Sequence, residues 1–157
     1  VTPSSDCTAN NSGVDYCYDA VGRLQYETSY GRRLAFQYDQ ASNRTRITHP
    51  DANYFSYTYD ALNRVDQVQL NGSSSGLSLI ADYDYDPMSR RTALTRGNGA
   101  ATTYGYSQAS RLTSLAHNLE GSTTTNDANW AFGYNVAGQM TWARIFNTLT
   151  AVGSDSF

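Results

Sequence analysis

The stretch Tyr57-Thr58-Tyr59-Asp60-Ala61-Leu62-Asn63-Arg64-Val65 decides how this chain is read. Side chains alternate across a strand, so Tyr57 and Tyr59 belong to one face of it. Asp60 is a preferred first residue of a type I turn, because its carboxylate can accept a hydrogen bond from the backbone two positions on. Asn63 tolerates the left-handed conformation that closes a three-residue hairpin loop, and Arg64 then starts the return strand.

The same frame recurs along the sequence. It reads Tyr18-Asp19-Ala20-Val21-Gly22-Arg23-Leu24, Tyr38-Asp39-Gln40-Ala41-Ser42-Asn43-Arg44, Tyr85-Asp86-Pro87-Met88-Ser89-Arg90-Arg91, Tyr106-Ser107-Gln108-Ala109-Ser110-Arg111-Leu112 and Tyr134-Asn135-Val136-Ala137-Gly138-Gln139-Met140. A second aromatic precedes each anchoring Tyr by two positions: Tyr16, Phe36, Tyr57, Tyr83, Tyr104 and Phe132. Successive anchors lie 20, 21, 26, 21 and 28 residues apart. Such a unit holds two strands with a turn at each end, and repeats are to be sought before any other feature. Turn signals fall between the copies at Tyr30-Gly31, His49-Pro50-Asp51-Ala52-Asn53, Arg96-Gly97-Asn98-Gly99 and Asn126-Asp127-Ala128-Asn129. The long spacings come from polar insertions at residues 71–76 and 120–125, on the side away from the Tyr-Asp turns.

Composition agrees with strands. There are 157 residues, 39% hydrophobic and 16% charged, with 13 Tyr against 5 Phe and 2 Trp. All 11 basic residues are Arg, and 12 of the 14 acids are Asp, Glu27 and Glu120 being the others. The strong helix formers Lys and Glu are thus scarce beside strand and turn formers. The expected fold is all-β: an antiparallel meander of about six hairpins, about twelve strands of roughly seven to eight residues, in a curved or spiralling ribbon. The domain plan is an N-terminal tail at 1–15, the repeat sheet at 16–143 and a C-terminal segment at 144–157. A net charge of −3 offers no electrostatic footprint for nucleic acid. No run approaches the roughly 18 apolar residues of a membrane span.

With the repeats in view, the pattern Tyr-Asp-x-x-Gly-Arg-Leu at about 20-residue spacing resembles the YD-repeat, or Rhs (rearrangement hotspot), family. That family includes the toxin-complex cocoon proteins and the teneurins. Gly22-Arg23-Leu24 and Ser42-Asn43-Arg44-Thr45 are similar to its two common variants. The resemblance implies a long β-ribbon that, in the large members, spirals into a hollow shell around a toxic polypeptide. These 157 residues contain no terminal Asp-Pro-x-Gly-type core motif and no toxin domain.

Candidate chemistry is sparse. Gly72-Ser73-Ser74-Ser75-Gly76 matches a nucleophile elbow in letters but lies in a Ser/Gly-rich insertion, not between a strand and a helix. His49 and His117 read as solvated residues at strand-to-turn boundaries. Asp82, Asp84 and Asp86 alternate with Tyr83 and Tyr85 and form a weak candidate cation site, against the simpler reading of Arg pairing across strands. Cys7 and Cys17 are read as one disulfide or as two buried thiols; the disulfide would place the protein in an oxidising compartment. Asn10, Asn43 and Asn71 begin formal glycosylation triplets.

These observations predict a non-enzymatic protein without cofactor. Its anchors Tyr18, Tyr38, Tyr59, Tyr85, Tyr106 and Tyr134 should stack along the sheet, with Asp19, Asp39, Asp60, Asp86, Gly22 and Gly138 shaping the turns. Arg23, Arg64, Arg90 and Arg111 should form a ladder beside them. The functional expectation is a structural wall module of a secreted or cell-surface protein. The alternatives are a subunit that assembles head-to-tail into a filament or sheath, and a carbohydrate-binding or adhesive surface. The expected partners are neighbouring copies paired at sheet edges, an encapsulated polypeptide or glycans, with no nucleic acid. Val1 in place of Met is the expected mark of a removed signal peptide. Segment 145–152 is expected to cover a sheet edge.

Overall fold

A computed structural model describes residues 13–73, 76–119 and 128–146. The described residues form twelve strands: β1 (Val14–Tyr18), β2 (Leu24–Ser29), β3 (Arg32–Tyr38), β4 (Arg44–Thr48), β5 (Tyr54–Tyr59), β6 (Val65–Leu70), β7 (Leu79–Tyr85), β8 (Arg91–Thr95), β9 (Ala101–Tyr106), β10 (Leu112–Asn118), β11 (Ala128–Tyr134) and β12 (Met140–Phe146). A single 3₁₀ turn spans Gly76–Ser78. The chain divides into two compact units, the first ending at Ile80 and the second beginning at Ala81. Within each unit, consecutive strands pair antiparallel in chain order.

All six Tyr-Asp turns are built alike, as three-residue loops. In the first, Gly22 N donates to Asp19 O at 3.0 Å and Asp19 N donates to Arg23 O at 2.8 Å. The corresponding pairs recur at Asp39, Asp60, Asp86, Ser107 and Asn135. The third loop residue is left-handed in every copy: φ is 85° at Gly22, 66° at Ser42, 58° at Asn63, 61° at Ser89, 58° at Ser110 and 86° at Gly138. The same construction closes two turns at the opposite strand ends, at His49–Asn53 and Arg96–Ala100. There the left-handed residues are Ala52 (φ 68°) and Gly99 (φ 87°).

Each hairpin also carries a β-bulge that the repeat pattern did not reveal. Tyr18 stands opposite Leu24 but Cys17 stands opposite Tyr26, so Gln25 is an extra residue. Thr45, Thr92, Thr113 and Thr141 are the extra residues in four other hairpins. Asp66 and Gln67 together oppose Thr58 in the remaining one. A bulge increases local twist and re-aims the side chains beside it.

The strands are shorter than expected, at 5 to 7 residues. Each hairpin loop takes three residues out of the repeat unit. β1 begins at Val14 and β12 runs to Phe146, both beyond the 16–143 frame. Ile145 and Phe146, nominated as part of an edge cover, instead belong to β12 and pair with Trp130 and Asn129. Residues 147–152 of that segment lie outside the described residues, as do Cys7, Asn10, Ser74, Ser75 and the insertion at 120–125.

Packing is that of a single layer of strands. In the first unit, Phe36, Ile47, Phe55 and Leu70 follow one another across β3 to β6. In the second, Tyr104, Leu115, Trp130 and Ile145 do the same across β9 to β12. These cross-strand pairs stabilise the sheet, yet most remain half-buried. Among the described hydrophobic residues only Cys17, Ala81, Leu94 and Ala100 are fully buried. Junctions between hairpins must therefore be held by more than apolar area.

Candidate functional site: an Asp–Arg–Tyr ladder

The chemistry-bearing side chains converge on those junctions. Asp60 Oδ1 accepts from the backbone N–H of Leu62 at 2.8 Å and of Arg64 at 3.0 Å, while its Oδ2 takes the Arg64 guanidinium Nε–H at 2.6 Å. Asp19 binds Val21, Arg23 N and Arg23 Nε in the same way, the last at 2.7 Å. Asp86 does so with Met88 and Arg90, the guanidinium again at 2.6 Å. Where the slot residue is not Arg, a side-chain bond without an ion pair takes its place: Asn43 Nδ2 donates to the Asp39 carboxylate at 3.0 Å, and Asn135 Nδ2 donates to Gln139 Oε1 at 2.9 Å.

Within the units, Arg23, Arg90 and Arg111 reach the next hairpin. Arg23 Nη1 donates to Asp39 O at 3.0 Å, and its guanidinium carbon lies 4.8 Å from the Tyr38 ring centre. Arg90 donates to Ser107 O at 3.2 Å and to Ser110 Oγ at 3.1 Å, and lies 4.7 Å over Tyr106. Arg111 donates to Asn135 O at 3.2 Å and lies 5.7 Å over Tyr134. The tyrosine hydroxyls run the other way. Tyr38 donates to Leu24 O, Tyr59 to Arg44 O and Tyr134 to Leu112 O, all at 2.8 Å, and Tyr106 to Arg91 O at 2.9 Å. In each case the acceptor is the residue that follows the Arg slot of the preceding hairpin.

The ladder corrects the expectation of a tyrosine stack. Within either unit, no anchoring Tyr is in ring contact with the next anchor; Arg23, Arg90 and Arg111 each lie over the ring of the following anchor, and Asn43 bonds instead to Asn63 of the following loop. The arrangement is favourable because the ring face attracts the cation while the phenol, half-buried, needs an acceptor. Sequence reading also missed Arg44 and Arg91, which lie 5.5 Å over Tyr57 and 4.8 Å over Tyr83. Their signal was present: each directly follows the slot residue.

The carboxylates are held in their charged form. Asp19 and Asp60 sit below the ordinary carboxylate value, chiefly through the backbone N–H of Arg23 and Arg64. Asp39 is lowered mainly by the Asn43 side-chain amide, and Asp51 by that of Asn53. Burial pushes Asp86 upward, but the bonds from Arg90 and Met88 together outweigh it and the net direction is down. The Tyr59 hydroxyl is raised above its ordinary 10.0, first by burial.

Other candidates lie elsewhere. Asp86 is committed to its own hairpin, while Asp82 and Asp84 stand opposite Thr95 and Ala93. Among the described residues no group of three His, Cys, Asp or Glu is placed to hold a metal ion. His49 lies edge-on to Phe55, with ring centres 5.6 Å apart. His117, one residue from the end of β10, is half-buried and not solvated: its Nδ1 lies 2.8 Å from Oγ1 of the buried Thr102 and its ring is edge-on to Trp130. The amide nitrogen of Asn43 serves Asp39 and Asn63, and that of Asn71 serves Asn53. Cys17 is buried and is not a free thiol. No described helix is long and apolar enough to cross a membrane.

No family model matches the chain. No curated protein matches it either. Solved structures do share its fold. A chain of TcdB2-TccC3-TEV is similar with a TM-score of 0.68 at 14% identity, over 84% of this chain and 7% of that one. TcdB2-TccC3-Cdc42 gives 0.67 at 15%, over 88% and 8%. The Photorhabdus luminescens Tc holotoxin pore, with the mutation TccC3-D651A, gives 0.66 at 16%, over 87% and 8%. The chain thus spans less than a tenth of the length of the solved chains it resembles.

Proposed function

We propose that this chain is a non-catalytic structural module, a stretch of YD-repeat wall from a secreted or surface protein whose larger relatives enclose a polypeptide. The observation that carries this reading is the ladder. Asp, Arg, Asn and Tyr, the residues that would otherwise do chemistry or bind sugars, are spent on closing hairpins and joining each to the next. The resemblance in sequence and the shared fold with toxin-complex chains point the same way. A carbohydrate-binding surface draws less support, because the same side chains would have to leave one another to meet a glycan.

The Cys7–Cys17 bridge belongs to this proposal as the mark of an oxidising compartment. Alkylation of the native protein without reduction should add no mass, and two labels would defeat the extracellular reading. For the structural role, ladder variants such as Arg90→Met should lower the melting temperature, while Asp84→Ala and His49→Ala leave it unchanged. Loss of a biological activity in that second set, with melting intact, would return the chain to the binding or catalytic classes.

A further inference from the structure

Two Asn-Gly pairs stand in described turns, Asn71-Gly72 after β6 and Asn98-Gly99 between β8 and β9, and both are open to solvent. Their surroundings differ. At Asn71 both ends of the side-chain amide are held: Oδ1 accepts from Tyr54 N at 2.9 Å, and Nδ2 donates to Asn53 Oδ1 at 3.0 Å. The Asn71 backbone N–H donates to Tyr54 O at 2.8 Å, and a Cβ on Gly72 would stand 2.8 Å from the Tyr54 hydroxyl. At Asn98 the side chain is held only within its own loop, Oδ1 accepting from Ala100 N at 3.1 Å, and Nδ2 bonds to none of the described residues.

We infer that Asn98 is a modification site, where the side-chain amide is hydrolysed without an enzyme, and that the fold protects the same dipeptide at Asn71. The Gly99 backbone nitrogen, once its proton passes to solvent base, attacks Asn98 Cγ. The Cγ–Nδ2 bond breaks, Nδ2 leaves as ammonia, and a five-membered imide remains. Water then opens the imide at either carbonyl, giving Asp or isoAsp at position 98. Glycine carries no side chain to hinder the attacking nitrogen. In the folded chain the Gly99 N–H donates to Arg96 O at 2.9 Å, so that bond and the one to Ala100 must open first. Both lie inside one five-residue loop and open together by a local fluctuation. Freeing Asn71 instead lifts the end of β6 away from Asn53 and Tyr54, which breaks three bonds to those residues. The sister loop His49–Asn53 shows which product fits. Asp51 holds the place of Asn98 there, and its Oδ1 accepts from Asn53 N at the same 3.1 Å. Asp at position 98 therefore keeps the loop, whereas isoAsp inserts one more backbone atom into the ring that the Gly99–Arg96 bond closes.

Peptide mapping of the full chain, held folded at neutral pH for weeks, is the test. Cleavage after Arg yields residues 65–90 and 97–111, each with a single Asn. The second peptide should gain one mass unit, as Asp and isoAsp, about fivefold or more faster than the first, the worth of one net hydrogen bond. In urea the two rates should converge, because the reacting pair is the same. Asn53→Ala removes the partner of Asn71 Nδ2 and should speed the first peptide while leaving the second alone. Asn98→Asp should melt with the wild type, whereas the isoAsp form purified from aged protein should melt lower. An Asn71 that reacts as fast as Asn98 in the folded chain, or an Asn98 that stays unchanged while folded, would overturn the inference. So would a gap between the two rates that persists in urea, or an Asn98→Asp variant that melts well below the wild type.

Discussion

Removing one oxygen from Tyr106 isolates the bond that ties the hairpin of β9 and β10 to the one before it. Tyr106→Phe keeps the ring under the Arg90 guanidinium, 4.7 Å away, and deletes only the 2.9 Å bond to Arg91 O. A net intramolecular hydrogen bond is worth about 0.5–1.5 kcal/mol, so the expected loss is about 1 kcal/mol. Tyr106→Leu also removes the cation–ring contact, worth about 0.5–1 kcal/mol at a partly exposed site, and brings the total to about 2 kcal/mol. The two terms separate in a double-mutant cycle with Arg90→Met. Loss of the Arg90–Asp86 pair enters both legs and cancels, leaving a coupling of about 0.5–1 kcal/mol between Arg90 and the ring. Trp130 and Trp142 lie in the same unit and report by fluorescence during urea unfolding. With a slope of about 2 kcal/mol per molar, the Phe variant should shift the midpoint by about 0.5 M at unchanged slope. A silent Phe variant, or a cycle without coupling, would show that the junction is held by strand pairing alone and that the ladder is ornamental.

Acid should loosen the hairpins. Asp19, Asp39, Asp60 and Asp86 all titrate below the ordinary 3.8 in the folded chain. Their contribution is therefore complete above the unfolded value and is lost as pH falls through the lower folded values, so melting measured downward from pH 5 should drop below about pH 4, and by less in Asp60→Asn. At the alkaline end Tyr59 acts with the opposite sign: its raised value means stability present below 10.0 and lost as pH rises through the folded value. Gly22→Ala meets no atom within 4 Å but keeps a φ of 85°, and calorimetry should show a loss of about 1–2 kcal/mol from backbone strain alone. His117→Ala strands the hydroxyl of Thr102, which is 1% exposed, and should cost about 1–3 kcal/mol in urea unfolding, whereas the half-exposed turn residue His49 can be replaced with little effect.

The hairpin frame was legible because turn chemistry is local. Asp60 and Asn63 act within their own loop, so four consecutive residues carry the whole signal and repetition removes the ambiguity of any one copy. The bulge was not legible, because it is a property of pairing: nothing in Arg44-Thr45-Arg46 says that Thr45 faces no partner until Tyr38 and Gln37 are placed opposite Arg44 and Arg46. The ladder was half legible. The recurrence of Arg and Asp at fixed slots suggested pairing, but the path of each guanidinium to the following hairpin depends on the register between repeats. The half-buried setting of His117 was not legible for the same reason. Its neighbours in sequence look like the approach to a turn, while its partners Thr102 and Trp130 come from the adjoining strands.

The copies that depart from the consensus show which feature of the slot pair matters. Position one is Asp in four hairpins, Ser107 in the fifth and Asn135 in the sixth, and in all of them it accepts from the backbone N–H of the slot residue. Charge at the slot is lost twice, at Asn43 and Gln139, and each time a side-chain amide bond at 2.9–3.0 Å replaces the ion pair. At Ser107 the side chain is too short to reach the guanidinium, yet Arg111 still crosses to Asn135 O. What the repeat preserves is therefore a hydrogen-bonded brace in the loop and a donor or acceptor aimed at the next hairpin, not a fixed pattern of charge. Partly exposed ion pairs contribute little and are screened by salt. A sheet joined by directional bonds, with acceptors supplied by the backbone itself, tolerates drift in its side chains while keeping its register, which is the property a repeating wall requires.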